Sequence, residues 1–577
     1  MIRSGNKNRK RWCHNEVCCI LILLFLLSLF SGCSRVSHVN GRTDEVSDAD
    51  PALIRFSHFS GTYPDRKLRV TLTAPVGYTV AYTTDSSVPS VMDDCKKNQV
   101  TVSLSHRTSG NLTAHSDLMT IPINTIQTDI YDDASLPFGC VLRAMAVGPG
   151  GKTGDVCTEV YFLGVNFDYL YPDCLVLSVV TDPDSLLDYE TGILASGAVY
   201  DSWLQTDEAK DLISQGLYWE YQTNFTQHGK EWERPCYLQI YDSCSRPLIA
   251  MDAGMRVTGH AARMMIQKPF NFYFRKEYGS KYLEYELFEG TERYRSFQVR
   301  NGGNSAERLK FKGAMLQELA SGRAFTTVLS RPAVLFLNGE YWGPYMLSEK
   351  ISDEMLKARY GVDPDQVIVI KEAEVEEGEN GDLKLYEDLM SYANRNLTDS
   401  KTWDEFCGII NIRSFAEYCA ARIYIGDADW DPQANDVLWR TRDSSYDEGR
   451  WNFILYDVEF SSGLYNDERT APETDHFRAA LDKYPLFSAA MRNREFYALF
   501  LDSIREIGSQ NFSSEHVNAV MQDYLEIWTP LMSDYYKRFG DSLFFWKDEL
   551  DATVRFFEVR YDIILPLVIS YENEMLE

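Results

Sequence analysis

Residues 424–463 read YIGDADWDPQANDVLWRTRDSSYDEGRWNFILYDVEFSSG, and they carry acidic side chains on both sides of a predicted β-hairpin. The oxygen-bearing side chains, first before and then after the hairpin, are Asp427, Asp429, Asp431, Asn435, Asp457 and Glu459. The strands VLWRT and WNFILYDVEF, joined by the turn DSSYDEG, would allow both groups to converge. Hard cations such as Mg2+ take oxygen ligands, and few of them come from protein. The stretch therefore predicts a shared metal site of the kind that phosphoryl transfer requires.

Upstream of this stretch, the tract MDAGMRVTGHAARMMIQKPFNFYFRKEYG gathers positive charge on predicted strands. Its basic residues are Arg256, His260, Arg263, Lys268, Arg275 and Lys276. The whole chain has a formal net charge of −28, so a nucleotide site in it would need such a local basic patch. A solvated strand face is the alternative interpretation of the same residues.

Two turns lie between the basic tract and the acidic stretch. The sequence NGGNS at residues 301–305 precedes a predicted helix. Glycines let a backbone approach a ligand closely, and amide groups at a helix start favour anions, although a glycine pair also fits any tight turn. Farther along, PAVLFLNGEYWGPYMLSEK predicts a hairpin whose turn is Asn338-Gly339 and whose second strand ends at Glu349.

The length of 577 residues and the apolar content of 45% permit several domains with large cores. Short alternating runs such as LRVTLTA and YTVAYTTD predict an all-β sandwich over residues 51–165. A larger α+β domain is predicted over residues 170–577. Apolar residues at helical spacing predict that its C-terminal part, from about residue 484, is helical.

The first residues have the three-part layout of a secretory signal. Basic residues precede the apolar run VCCILILLFLLSLF, and the following SGC, which ends at Cys33, resembles a bacterial lipobox. We therefore expect a signal peptide over residues 1–32, lipidation of Cys33 and a polar tether over residues 33–50. Ordinary cleavage, with Cys33 incidental, is the alternative. Because the run is too short for a comfortable membrane span, only the lipid would attach the protein to a membrane.

The negative net charge argues against nucleic acid or an anionic bilayer as the main partner, since both bind positively charged proteins more strongly. Cysteine spacing shows no zinc motif in the chain beyond the signal. In an oxidising compartment, Cys236 and Cys244 are a candidate disulfide, because they flank a predicted hairpin. Buried free thiols are the alternative.

Several of these pieces, taken in order between about residues 175 and 463, resemble the CotH family of atypical protein kinases. They are GMRVTGHAARMMIQKPFNFYFRKEYG, VRNGGNS, LFLNGEYWGPYMLSEKIS, DADWDPQANDVLWR and RWNFILYDVEFSSG. The resemblance implies a kinase-like α+β domain that uses ATP and Mg2+ (or Mn2+) to phosphorylate protein hydroxyls. The N-terminal strands resemble a chitobiase C-terminal-like, fibronectin-type module, which implies a spacer or a weak binding unit with possible glycan contacts.

The resemblance implies roles for the acidic stretch. Asp457 matches the metal-binding aspartate of kinases, and Asn435 matches the metal-binding amide that follows the catalytic acid. Two residues remain candidates for that acid, Asp429 and Asp431, since neither has the spacing to Asn435 found in ordinary kinases. We favour Asp429. Glu459 stands where the family usually has a second aspartate, which puts a second metal ion in doubt.

The resemblance also implies the nucleotide-binding residues. Lys268 would contact phosphates as a mobile point charge, with Arg263 as a second cation. Glu349 would orient Lys268, and Glu318 is an alternative for that task. Trp451 would stack on adenine, or alternatively pack as a strand aromatic in the core.

The expected function is therefore a lipid-anchored protein kinase of the bacterial cell envelope, at the periplasmic or cell surface. It would transfer the γ-phosphate of ATP to Ser or Thr of an envelope protein. The alternative is a catalytically inactive surface lipoprotein of the same fold that serves as an adhesin or a glycan-binding scaffold. A glycosidase fits less well, because it gives the basic strands and Asn435 no task.

Overall fold

The computed structural model describes residues 53–121, 129–540 and 543–576. The expected signal peptide, Cys33 and the tether 33–50 lie outside the described residues. Within the described ranges, no helix combines the length and apolarity needed to cross a membrane.

The N-terminal part forms two small sheets that pack against each other. Its elements are β1 (Arg55–Phe56), β2 (Gly61–Tyr63), β3 (Lys67–Thr73), β4 (Thr79–Thr83), β5 (Gln99–Ser105), α1 (Asn111–Ala114), β6 (Gly139–Val147) and β7 (Cys157–Leu163). One sheet has the order β1-β3-β5 and the other β2-β7-β6-β4. Alternating residues of both sheets, such as Val70 and Leu142, share one buried cluster. Strands dominate this part of the described chain, whereas the bounds 51–165 of the expected all-β sandwich and the likeness to a chitobiase module stay predictions.

A closed barrel follows, with the strand order β10-β11-β14-β16-β15-β8-β9. The elements of this region are α2 (Phe167–Leu170), β8 (Leu175–Val180), α3 (Pro183–Leu187), α4 (Gly197–Trp203), α5 (Asp207–Gln215), β9 (Arg234–Tyr241), β10 (Pro247–Val257), β11 (Phe270–Tyr273), β12 (Leu283–Phe288), β13 (Thr291–Tyr294), β14 (Ser296–Arg300), α6 (Lys312–Leu319), β15 (Ser330–Leu337) and β16 (Glu340–Glu349). The predicted β15–β16 hairpin is confirmed. Its turn residues Asn338 and Gly339 have φ values of 51° and 77°, as a two-residue type I′ turn requires.

A four-stranded sheet of order β18-β17-β19-β20 carries the acidic stretch. Its elements are α7 (Asp353–Tyr360), β17 (Val367–Lys371), β18 (Glu374–Glu377), α8 (Leu383–Met390), α9 (Ser400–Cys407), α10 (Ile412–Ile425), β19 (Val437–Thr441) and β20 (Asn452–Phe453). The predicted hairpin between the acidic groups is confirmed, with Trp439 opposite Asn452. Its second strand is shorter than expected, so Asp457 lies on a loop beyond it.

The C-terminal part is helical, as predicted. It consists of α11 (His476–Lys483), α12 (Pro485–Met491), α13 (Arg494–Glu506), α14 (Ser514–Phe539) and α15 (Leu543–Leu576). Apolar side chains at helical spacing, among them Phe496, Phe500 and Ile504, are buried against α10 and the acidic stretch in one large core.

The proposed disulfide between Cys236 and Cys244 is wrong, because both residues are free thiols. Cys236 lies near the start of β9, where it pairs with Ala253 of β10, and Cys244 lies in the turn beyond the other end of β9. The strand between them is about 16 Å long at ~3.3 Å per residue, far beyond disulfide reach.

A buried ion cluster joins the N-terminal part to the barrel and to α14. Arg538 is fully buried, and its guanidinium pairs with Glu340 at 3.1 Å and with Asp132 at 3.0 Å. It also donates to Thr113 Oγ1 at 2.7 Å. Glu340 accepts a further hydrogen bond from the amide of Leu112 at 2.8 Å. The N-terminal sheets are therefore fixed to the rest of the described chain rather than loosely appended.

We expect Arg538→Met to lower the free energy of unfolding by about 3–5 kcal/mol, because it leaves Glu340 buried without its cation. Chemical denaturation followed by tryptophan fluorescence measures the change. The neighbouring Lys537→Met is the control. Lys537 is exposed and pairs with Asp534 only one helical turn away, so its loss is expected to cost about 0.5 kcal/mol. Equal midpoints for the two variants would contradict the expectation.

Candidate active site

A cleft lies where β14, β16 and α6 face the four-stranded sheet and the loop after β20. It has a volume of about 730 Å³, open solvent at its mouth included. Polar side chains from each of these elements line it, among them Gln298, Arg300, Gln317, Glu349, Lys371, Asp457 and Glu459. The second acidic group of the 424–463 stretch therefore lies in a concave site, as a binding residue must.

Asp457 and Glu459 share one arginine. Nη2 of Arg300, at the end of β14, lies 3.2 Å from Oδ1 of Asp457 and 2.7 Å from Oε1 of Glu459. Burial acts to raise the pKa of Asp457, but Arg300 and neighbouring groups, Lys371 among them, together outweigh it, so that this pKa lies below its ordinary value. Burial raises the pKa of Glu459 to about 7, with the charge of Asp457 adding to it and Arg300 opposing it. The two carboxyl groups are thus electrostatically distinct.

Glu459 fits closely against α6. A Cβ atom at Gly313 would lie 2.3 Å from Oε1 of Glu459, so any larger residue there would displace the carboxylate. The second oxygen, Oε2, is buried and has no hydrogen-bond partner in the described structure. Such an orphaned buried oxygen is unusual in proteins and is available to a ligand.

The first acidic group reaches the same region through Asp429. The side-chain amide of Asn304, in the glycine turn, donates to Oδ2 of Asp429 at 3.2 Å. Burial raises the pKa of Asp429, and the nearby charge of Asp457 adds to this effect. Asn435 lies beside it, with Nδ2 at 3.5 Å from the main-chain oxygen of Asp429 and with a left-handed φ of 61°. The structure therefore brings Asp429, Asn435 and Asp457 together.

Arg422 of α10 holds these two loops in place. Its side chain is fully buried and forms an ion pair with Asp427, whose side chain is equally buried. The guanidinium also donates to main-chain oxygens on both sides of the hairpin, those of Asn435, Tyr456 and Asp457. A single planar cation thus fixes the distance between the two acidic groups.

Asp431, the other candidate for the catalytic acid, has a local role. It sits in a tight turn in which Asp431 and Ala434 exchange main-chain hydrogen bonds of 3.1 Å. Its carboxylate accepts from the amide of Gln433 at 2.7 Å. Asp429, by contrast, accepts from the glycine turn and lies near the charge of Asp457, so the geometry favours it over Asp431, and neither residue is among those that line the cleft itself.

Lys268 and Arg263 do not reach the cleft, and the interpretation of both as phosphate contacts is corrected. Lys268 is fully buried, and its ammonium donates to the main-chain oxygens of Arg263 at 2.9 Å and Met265 at 3.1 Å. Its Nζ lies 3.5 Å from the ring centroid of Phe225. Arg263 donates to the carbonyl oxygens of Thr226, at 2.7 Å, and Gln227, at 2.9 Å. Both cations fasten the 258–269 loop to the segment before β9.

Trp451 and Glu349 also differ from the expectation. Trp451 is fully buried and does not line the cleft; its main chain bonds to Ile409 and Asn411, so it is a core aromatic rather than an adenine contact. Glu349 does line the cleft, but its partner is Arg359 instead of Lys268. The alternative acid, Glu318, accepts from Tyr524 on α14 at 2.9 Å.

Arg300, Lys310 and Gln317 line the cleft and were not identified from the sequence. Gln317 fixes the wall by donating to the carbonyl oxygen of Leu455 at 2.8 Å. The sequence could have indicated Arg300, because this residue ends a strand and directly precedes the glycine turn. A side chain at that position lies close to any ligand that the turn binds. Nothing in the sequence distinguishes Lys310 from other lysines that lie just before a helix.

Within the described residues, no group of three or more His, Cys, Asp and Glu side chains could hold a metal ion by itself.

Comparison with known proteins gives one family. No curated protein matches the chain. The model of the family described as CotH kinase protein matches residues 255–564, which is more than half of the chain and includes the cleft, both acidic groups and most of the helical part. The chain therefore belongs to the CotH kinase protein family.

Proposed function

We propose that this protein is a kinase that transfers the γ-phosphoryl group of ATP to a Ser or Thr hydroxyl of another protein. The observation that carries the proposal is that Arg422 donates to the main-chain oxygens of both Asn435 and Asp457, and that Asp457 lines the cleft. Arg300 and Gly302 of the glycine turn line the same cleft, and Arg300 holds the carboxylates of Asp457 and Glu459. Phosphoryl transfer depends on such positioning and electrostatics.

The residues present fit a divalent cation held jointly with a nucleotide. Asp457, whose side chain is 36% exposed, and the orphaned Oε2 of Glu459 offer carboxylate oxygens, and Asn435 offers an amide oxygen. Mg2+ is commonly held by one or two carboxylates plus substrate phosphates, so a cluster of three acids is not needed. Bound there, the cation would neutralise charge on the phosphates.

Asp429 is the residue proposed to orient the acceptor hydroxyl and to accept its proton. Burial and the charge of Asp457 raise the pKa of this carboxyl, which makes it a better proton acceptor than an exposed aspartate. The hydrogen bond from Asn304 holds one of its oxygens, so the other is available to the hydroxyl.

The location and the acceptor are proposed from the sequence. The SGC motif at Cys33 supports a lipid anchor in the bacterial cell envelope, and the acceptor would then be an envelope protein. The N-terminal sheets are proposed as a spacer with possible glycan contacts.

We expect Asp429→Asn to reduce phosphoryl transfer at least a hundredfold, because the amide cannot accept the proton. Transfer of label from γ-32P ATP to the protein itself and to a general Ser/Thr acceptor measures the rate. Asp431→Asn is the matched control two residues away and should retain most of the activity. The reverse ranking would make Asp431 the base. No transfer by the parent protein would instead favour the binding-scaffold alternative.

A further inference from the structure

Among the described residues that line the cleft, one basic residue, Lys310, forms no ion pair with an acidic side chain. The basic side chains that line it are Arg300, Lys310, Lys350 and Lys371. Three of them lie near carboxylates: Arg300 is 2.7 Å from Glu459, Lys350 is 2.6 Å from Glu376 and Lys371 is 3.8 Å from Glu372. Within the described residues, Lys310 forms hydrogen bonds to neutral oxygens and no ion pair with a carboxylate.

Lys310 is buried despite its charge. The residue is 2% exposed, and its Nζ donates to Oε1 of Gln267 at 2.5 Å and to the carbonyl oxygen of Asn301 at 3.0 Å. The ring centroid of Tyr535 lies 4.1 Å away. Burial lowers the pKa of Lys310 to about 7, with only the charge of Glu307 opposing it. A cation in such a place is costly unless an anion completes its surroundings.

The position of Lys310 is directly beneath the glycine turn. A Cβ at Gly302 would lie 2.9 Å from Cα of Lys310, so only glycine lets the turn pack this closely, and its φ of 108° also favours glycine. The next residue, Gly303, faces Arg300 and Glu459. Lys310 therefore lies at the part of the cleft that the glycine turn borders.

On the basis of the proposed kinase function, we infer that Lys310 provides the positive charge that binds the phosphate chain of the nucleotide. This is the role that the sequence suggested for Lys268. Arg300 is a weaker candidate for this role because its charge is already balanced by Asp457 and Glu459. A phosphate oxygen would supply the counter-charge that the described protein does not.

The chain offers a matched pair of lysines for the test. Lys268 and Lys310 are both buried, both donate to neutral oxygens and both lie against an aromatic ring, but only Lys310 lines the cleft. Isothermal titration calorimetry with Mg2+ compares the binding of adenosine, ADP and ATP to the parent protein, Lys310→Met and Lys268→Met. We expect Lys310→Met to weaken ATP binding about tenfold to a hundredfold, the loss of a charge-assisted contact, and to leave adenosine binding within about twofold. Lys268→Met should leave both within about twofold of the parent.

Two outcomes would overturn the inference without touching the proposed function: equal ATP affinity of Lys310→Met and the parent, or equal losses for adenosine and ATP. Lys310→Gln keeps an N–H donor for Asn301 but removes the positive charge, so its ATP affinity tests the contribution of the charge separately. If neither variant keeps the thermal midpoint and adenosine binding of the parent, Lys310 is a structural residue and the inference is wrong. A parent protein that binds no ATP would refute the proposed function itself.

Discussion

Asp457→Asn is expected to reduce phosphoryl transfer at least a thousandfold while leaving the protein folded. The Asp457 carboxylate is 36% exposed, against 6% for Glu459, and Arg300 helps to keep its pKa low, so it is charged throughout the neutral range. Losing a group that stabilises charge in the transition state commonly costs such factors. The asparagine keeps the shape of the side chain, and its amide oxygen still accepts from Arg300. A radiometric transfer assay on the purified variant, together with its thermal midpoint, measures the two effects.

The control for this variant is Asp443→Asn in the turn of the same hairpin. Asp443 accepts from the amide of Ser445 at 3.1 Å and lies away from the cleft residues. Its activity should equal that of the parent protein. If Asp457→Asn transfers phosphate at the parental rate, Asp457 has no part in catalysis and the proposed site is misplaced.

Arg422→Met is expected to lower the free energy of unfolding by about 3–5 kcal/mol and to abolish activity. The substitution leaves the buried carboxylate of Asp427 without its partner, which is the costly way to break a buried ion pair. It also removes the donors to the carbonyl oxygens of Asn435 and Tyr456, so the two acidic loops are no longer held together. Chemical denaturation measures the stability, and the transfer assay measures activity at a temperature where the variant is still folded.

Arg413→Met on the same helix is the matched control for Arg422→Met. Arg413 is 66% exposed and pairs with Glu417, whose buried carboxylate keeps a hydrogen bond from the amide of Ala324, so its loss should cost less than the loss of Arg422 and leave activity intact. Adding Asp427→Asn to Arg422→Met should recover part of the lost stability, because the uncompensated charge is then removed. A stable and active Arg422→Met variant would show that the two loops stay together without this arginine.

Much of the local structure was predictable from the sequence. The Asn338-Gly339 turn and the hairpin between the acidic groups follow from turn chemistry and alternation, and both are present. The C-terminal helices follow from apolar spacing. The convergence of Asp457 with Asn435 was also predicted, because a hairpin brings the segments at its ends together.

The partners of the charged residues were less predictable. The family resemblance implied that Lys268 contacts phosphates, yet its loop folds inward and buries the ammonium. Trp451 is an aromatic close to Asp457 in sequence, but it points into the core. The residues that line the cleft in their place, Arg300 and Lys310, come from one strand end and the segment after its glycine turn.

The sequence by itself determined the strands, turns and helices and the stretch that holds the acidic residues, because periodicity and turn preferences act over a few neighbouring residues. Only the tertiary structure decided which cation meets which acid. Arg300 and Glu459 are separated by 159 positions along the chain and are joined by barrel closure and the packing of α6. Long-range ion pairs depend on how whole helices and strands pack against each other. Burial then decides whether a charged side chain lines the cleft or pairs with other groups in the core.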